Sequence, residues 1–247
     1  MLINADTAIS TSSVLLVPYS ECHVPKYHEW MKDPEIQEAT ASEPLTLEEE
    51  YSMQQSWRND ADKLTFIVCS PLSESSRNEH EQARGASHLT EQDDAPGKMV
   101  GDINLFLRVD DGEEGESEPQ IIGEIELMIA EKENQRKGFG RASLLTFMKY
   151  IVDHEAEILE EFLASEPDSL AKIKKPWKFV CLSVKIGQTN ARSLALFESL
   201  LFQKVTAEPN YFGEFELRRT ALDQGSIDGS LAKYGISGFT EVRYRSQ

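Results

Sequence analysis

A strand, a glycine turn carrying three cations and an amphipathic helix follow one another without interruption over residues 121–150, and this stretch constrains the chain more than any other. Ile121, Ile125, Leu127 and Ile129 supply the apolar positions of the strand. Leu144, Leu145, Phe147, Met148, Ile151 and Val152 give the helix a broad apolar face. Between them lie Gly138 and Gly140 with Arg136, Lys137 and Arg141. A glycine-bearing turn that opens a helix presents backbone N–H groups, and the helix dipole favours negative charge at the same point. The cations add charge-assisted hydrogen bonds, so residues 135–141 are expected to hold a phosphate.

Three kinds of phosphate loop have different spacings. A Walker loop requires G-x-x-x-x-G-K-[ST], and this turn lacks both the spacing and the closing pair. A dinucleotide fingerprint requires G-x-G-x-x-G, and Ser143 holds the third glycine's place. The pattern Q/R-x-x-G-x-G/A after a strand is met in full by Gln135-Arg136-Lys137-Gly138-Phe139-Gly140. In this the turn resembles the pyrophosphate loop of the GNAT acyl-CoA N-acyltransferase superfamily. Taken alone, the hexapeptide is also compatible with a surface β–α turn that happens to carry cations.

The 247 residues suit one domain with insertions, or one and a half. A net charge of -18 argues against nucleic acid or an anionic membrane as a partner and leaves room for a basic protein or peptide. Cys22, Cys69 and Cys181 are odd in number, far apart and without a C-x-x-C, so neither a zinc site nor a disulfide framework is expected, and no metal is assigned. Residues 1–13 lack the apolar core and basic flank of a signal peptide, and no apolar run approaches the roughly 18 residues of a membrane span. A cytoplasmic protein is expected; the oligomeric state is not legible.

Taken in order, residues 14–19 form a first strand. Pro25, Tyr27, Trp30 and Met31 belong to a short helix. Asp33-Pro34 caps and opens a second, and Thr46-x-x-Glu49 is a capping box for a third. Strands follow at 64–69, 99–109 and 121–130. Residues 70–98, rich in Ser, Glu, Gln and Asn, read as a flexible insertion, as do residues 166–176. Residues 155–163 either continue the central helix or form their own. A strand at 178–186, a helix from Ala191 capped by Asn190, and closing strands at 202–207 and 212–218 complete the order. Residues 220–247 show no clear period and carry no assignment. The expected architecture is α/β, with a mixed sheet in which the two strands flanking the central helix run parallel and the hairpins antiparallel.

A second motif makes the resemblance specific. The run from Asn190 to Phe202 (N-A-R-S-L-A-L-F-E-S-L-L-F) is similar to the GNAT pattern N-x-x-[SA]-x-x-[LF]-[FY]-x-x-x-G-F. It departs from it at Leu201, where glycine is usual, and carries Phe197 where many members have tyrosine. Further runs resemble the N-acetyltransferase 9-like family: Val17-Pro18-Tyr19, His23-Val24-Pro25, Tyr27-His28-Glu29-Trp30-Met31, Ala41-Ser42-Glu43-Pro44-Leu45-Thr46, Gly101-Asp102-Ile103-Asn104-Leu105-Phe106-Leu107 and Gly123-Glu124-Ile125-Glu126-Leu127-Met128-Ile129-Ala130. The resemblance covers about residues 14–219, outside the two insertions and the tail.

The resemblance implies a GNAT fold, a mostly antiparallel sheet whose one parallel pair splays apart, flanked by helices. It implies acetyl-CoA as co-substrate and transfer of acetyl to an amine of a protein or peptide in a ternary complex; a CoA-binding protein acting through partners is the alternative. Gln135, Arg136, Lys137, Gly138, Phe139, Gly140 and Arg141 would hold the pyrophosphate. The backbone of Met128 and Ala130, about Ile129, would bind the pantetheine and polarise the thioester, while Asn190 and Phe197 would reach the cofactor from the next helix. Ser42 and Glu43 would line the acceptor groove. Glu124 and Glu126 share one strand face and interrupt an apolar run, which makes them the candidate bases, Glu124 ranked first. No general acid is identified, because phenylalanine cannot donate a proton.

Overall fold

The computed structural model describes residues 1–77, 88–111, 119–167 and 173–245. Among the described residues nine strands form one sheet: β1 (Thr7–Ser10), β2 (Leu15–Pro18), β3 (Lys63–Cys69), β4 (Met99–Asp110), β5 (Gln120–Ile129), β6 (Phe179–Gly187), β7 (Gln203–Lys204), β8 (Glu214–Arg219) and β9 (Thr240–Arg243). Their order across the sheet is β7-β8-β6-β5-β4-β3-β2-β1-β9. Every neighbouring pair is antiparallel except β5 and β6, which are parallel. That exception follows from the connection: a strand–helix–strand crossover returns the chain in the same direction.

The helices start where their capping residues direct. In α1 (Val24–Met31) Pro25 sits in the first turn. The Asp33 side chain accepts from Glu35 N–H and Pro34 opens α2 (Pro34–Thr40). Thr46 and Glu49 close a reciprocal capping box on α3 (Leu47–Asn59). The long crossover helix α4 (Phe139–Asp153) stops at His154, and α5 (Glu155–Ser165) begins anew. Asn190 caps α6 (Ala191–Ser199), and α7 (Gln224–Lys233) lies near the C-terminal end.

Strand alternation sorts the core to two faces. On one, Leu64, Phe66, Ile103, Leu105 and Ile125 meet the buried Leu144, Phe147, Met148 and Ile151 of α4. On the other, Val17, Ile67 and Val242 meet Tyr27, Trp30 and Met31 of α1. The central feature is the parallel pair. β5 and β6 are paired from Ile121 with Phe179 to Glu124 with Ser183 and then separate, leaving the last five residues of β5 without a neighbour on that side.

The sheet reaches beyond residues 14–219. β1 precedes that span, and β9, in the stretch left without assignment, pairs with it along the sheet edge. Alternation is hard to read in strands of four residues, and β1 is bracketed by β2 and β9. The reading of residues 70–98 as one flexible insertion needs correction at its ends. Leu72, Leu89 and Asp94 are buried, and Asp94 accepts from His23 Nε2 (3.0 Å), Tyr244 OH (2.7 Å) and Arg245 Nη1 (2.8 Å). Residues 78–87 of that insertion and 168–172 of the second lie outside the described residues. Among the described residues no helix is long and apolar enough to cross a membrane.

Candidate active site

The gap between the diverging strands opens into a cleft of about 810 Å³, within the size range of small-molecule sites. One wall is the end of β5, with Leu127, Met128, Ile129 and Ala130; the floor is the turn into α4, with Gln135, Arg136, Gly138, Gly140 and Arg141. The start of α6 contributes Asn190, Arg192, Ser193 and Leu196, and α2 closes the far side with Glu35, Ile36, Ala39 and Thr40.

The turn is shaped by two left-handed residues. Arg136 has φ 63° and Gly138 φ 94°, so the chain reverses sharply between the strand and α4. Gly138 caps the helix, and the first intrahelical bond runs from Ala142 N–H to Gly138 O (3.0 Å). The N–H groups of Phe139, Gly140 and Arg141 therefore have no helical acceptor and face the helix entrance. A Cβ on Gly140 would make ordinary contacts with Leu196 Cδ2 (3.4 Å) and Leu127 Cδ2 (3.7 Å), which places this glycine where β5, α4 and α6 converge. Gln135 Nε2 donates to Ile129 O (3.0 Å) and braces the turn on the strand end. Lys137 is exposed and Phe139 packs against the core; neither lines the cleft.

The two strand residues named for the pantetheine are turned the other way. Ala130 N–H donates to Val100 O (2.9 Å), and the Met128 carbonyl lies against Gly101, where a Cβ would collide with it. Backbone polar groups alternate sides along a strand, so Leu127 and Ile129 present theirs to the gap. Side-chain periodicity was readable in the sequence; the phase of the hydrogen-bond ladder was not.

Asn190 caps α6 through Oδ1, which accepts from Ser193 N–H (3.1 Å), and also lines the cleft, so both roles expected of it are compatible. Phe197 does not reach the cleft. It is 3% exposed and meets Phe202 edge-on at 5.0 Å. The two rings close a Schellman stop: Phe202 N–H donates to Phe197 O and Leu201 N–H to Glu198 O, with Leu201 at φ 67°. Leu201 thus occupies a left-handed position that ordinarily takes glycine.

Glu124 and Glu126 do share a face, as alternation requires, but their surroundings differ. Glu124 Oε2 accepts from Lys185 Nζ at 2.9 Å. Glu126 remains open to solvent beside the cleft, yet the surrounding protein removes enough water to push its carboxyl up to about 7, with Asp102 and Glu124 adding repulsion and Lys185 opposing it. Asp102 stands diagonally across the ladder, fully buried, hydrogen-bonded by Asn104 Nδ2 (2.8 Å) and Tyr27 OH (3.4 Å). Burial lifts its carboxyl to about 6 against those two bonds. The two candidate bases thus differ in their surroundings, Glu124 being tied to Lys185 and Glu126 lying beside Asp102. Ser42 and Glu43 sit on the α2–α3 connection beyond the cleft lining, where Ser42 Oγ accepts from Thr40 Oγ1 (2.9 Å).

Lys132, Arg192 and the α2 wall escaped the sequence reading. Arg192 stands in the first turn of the helix that Asn190 caps, and the same helix-entrance argument could have found it. Lys132 is held by Asp33 (3.2 Å) and Glu35 (2.7 Å), a tie between β5's end and α2 with no sequence signal. Among the described residues Cys22, His23 and Asp94 come together as a metal site's ligands would, but Arg245 bonds both Asp94 and Cys22 and already supplies the positive charge there.

Comparison with known proteins agrees with this geometry. The acetyltransferase (GNAT) domain matches residues 13–203. An N-acetyltransferase 9-like protein of Schizosaccharomyces pombe is 40% identical over 90% of this chain and 100% of its own length. The alpha/beta-tubulin-N-acetyltransferase 9 of Drosophila melanogaster is 40% identical over 89% of both chains. Among solved structures, spermidine N-acetyltransferase from Vibrio cholerae, in complex with CoA and spermine, superposes with a TM-score of 0.52 at 14% identity, covering 84% of this chain and 94% of its own, a likeness of fold.

Proposed function

We propose, on the premise that this chain belongs to the GNAT acetyltransferase family, that it acetylates an amine of a protein by direct attack within a ternary complex. The chain is an acetyl-CoA-dependent N-acetyltransferase. Acetyl-CoA supplies the acetyl group as a thioester. The open edge of β5 beside the entrance of α4 carries this reading, because a strand edge and a helix N-terminus are what an extended amide arm ending in phosphates would use.

The positions of the residues support the following parts. The N–H groups of Gly140 and Arg141, with the side chains of Arg136, Arg141 and Arg192, receive the phosphates. The backbone of Leu127 and Ile129 pairs with the pantetheine amides, and a free N–H on that edge polarises the thioester carbonyl. Glu126 takes the proton of the attacking amine, directly or through water. With Phe197 in the core, α6 offers no phenol to the departing thiolate, which a thiol pKa of roughly 8.5 makes tolerable.

The protein acceptor is supported by the relative named for tubulin and by the acidic character of the face holding Asp102, Glu124 and Glu126, which attracts a cationic amine. Ser42 and Glu43 would lie along its approach. The test measures free thiol released from acetyl-CoA with tubulin, with a peptide library and with spermidine. Turnover with protein or peptide is expected. Acetylation confined to spermidine would overturn the protein acceptor, and no turnover with any amine would overturn the whole reading.

A further inference from the structure

We infer that Tyr234, in the C-terminal segment, is a positioning residue for acetyl-CoA: its ring holds the Arg141 guanidinium at the cleft wall, where it meets a phosphate of the cofactor. This rests on the reading of residues 135–141 as the phosphate turn.

Arg141 stands in the first turn of α4 and lines the cleft. Its guanidinium lies 4.3 Å from the centre of the Tyr234 ring. A guanidinium's donors lie in its own plane, so an aromatic ring against its face leaves the hydrogen-bonding edge free. Arg141 Nε is buried and has no hydrogen-bond partner among the described residues. The side chain is thus oriented and desolvated on one side, with donors left for an anion.

Tyr234 is itself fixed. It ends α7, whose Ile227 and Leu231 are buried with Ile236 in the main core. Its hydroxyl donates to Ser199 O (3.1 Å) at the end of α6. The ring therefore joins α4 and α6, two helices that bring their N-terminal turns to the cleft. A free arginine must surrender rotamer freedom when it grips a phosphate; one held by a ring has surrendered much of it already.

The experiment measures acetyl-CoA affinity by calorimetry, with kcat and the acceptor KM, for the full chain carrying Arg141→Ala, Tyr234→Ala, Tyr234→Phe or both alanines. Each alanine variant should weaken acetyl-CoA binding about three- to thirtyfold, and for Tyr234→Ala the loss should appear in the acetyl-CoA KM and not in the acceptor KM. The double variant should lose little more than Arg141→Ala alone, because the ring acts through the arginine. Tyr234→Phe, which keeps the ring, should retain most of the affinity. If Tyr234→Ala does not fold, Tyr234→Leu keeps bulk while removing the π face. Wild-type affinity in Tyr234→Ala or Tyr234→Leu, or losses that multiply in the double variant, would overturn the inference while leaving the phosphate turn standing. Should Arg141→Ala and Gly138→Asp both bind acetyl-CoA normally, the turn's own role fails.

Discussion

Lys185 Nζ lies 2.9 Å from Glu124 Oε2, and this contact distinguishes the two glutamates of β5. Glu124 is thereby engaged in an ion pair, whereas Glu126 is held near 7 by loss of water and by two neighbouring carboxylates. Glu126→Gln should lower kcat on the order of 10² to 10⁴ with acetyl-CoA affinity nearly unchanged, and Glu124→Gln should cost less. The base works deprotonated, so kcat should rise with pH through about 7. Asp102→Asn removes one repelling charge and should move that rise to lower pH. A pH–rate profile of the three variants decides this; full turnover by Glu126→Gln near neutral pH would show that Glu126 is not the base.

The same group sets a sign for stability. Its carboxyl is raised on folding, so its contribution is fully present below about 4.5 and is lost as pH rises through about 7. Glu126→Gln should therefore flatten the fall in denaturant midpoint between pH 5 and pH 8.

Asp94 has the opposite sign. Burial alone would raise its carboxyl, but hydrogen bonds from His23, Arg245 and Tyr244 outweigh that and hold it at about 2. The stabilisation is present above about 4 and is lost as pH falls through about 2. Asp94→Asn leaves Arg245 and His23 without their anion and should cost on the order of 3 kcal/mol at neutral pH. Urea unfolding measures it, and a loss below about 0.5 kcal/mol would show that the tail and the segment around Asp94 are not held by this node.

Leu201 is 56% exposed at φ 67°, so it bears the strain of a left-handed residue while burying little. Leu201→Gly should raise stability by about 1 kcal/mol. An unchanged or lowered melting temperature would mean that the exposed side chain makes a contribution larger than the strain.

Acetyl-CoA at about 100 times its dissociation constant should add about 2.7 kcal/mol of stability by linkage. Gly138→Asp should remove the effect. Nothing lies within 4 Å of a Cβ at Gly138, so the cost falls on the positive φ of 94° and on the negative charge placed at the helix entrance. A thermal shift that survives this substitution would move the phosphate site away from the turn.

What the residues determined alone is local. Hydrophobic period, capping pairs and the glycine turn placed most strands and helices within a residue or two, since each depends on neighbours a few positions apart: Asp33 with Pro34, Thr46 with Glu49, Asn190 with Ser193. The Gln135–Gly140 hexapeptide and the run from Asn190 to Phe202 were enough to point to the family. What the tertiary structure decided is long-range. Which backbone groups of β5 face the gap depends on its ladder with β4, and so those of Leu127 and Ile129 face it while Ala130 N–H is bonded to β4. Which glutamate is held in an ion pair depends on Lys185 from a strand 61 residues away. The roles of Tyr234 against Arg141 and of Asp94 against Arg245 arise from partners brought together only by packing. A side chain's charge and hydrogen bonds are set by what surrounds it in space, and sequence spacing does not contain that information.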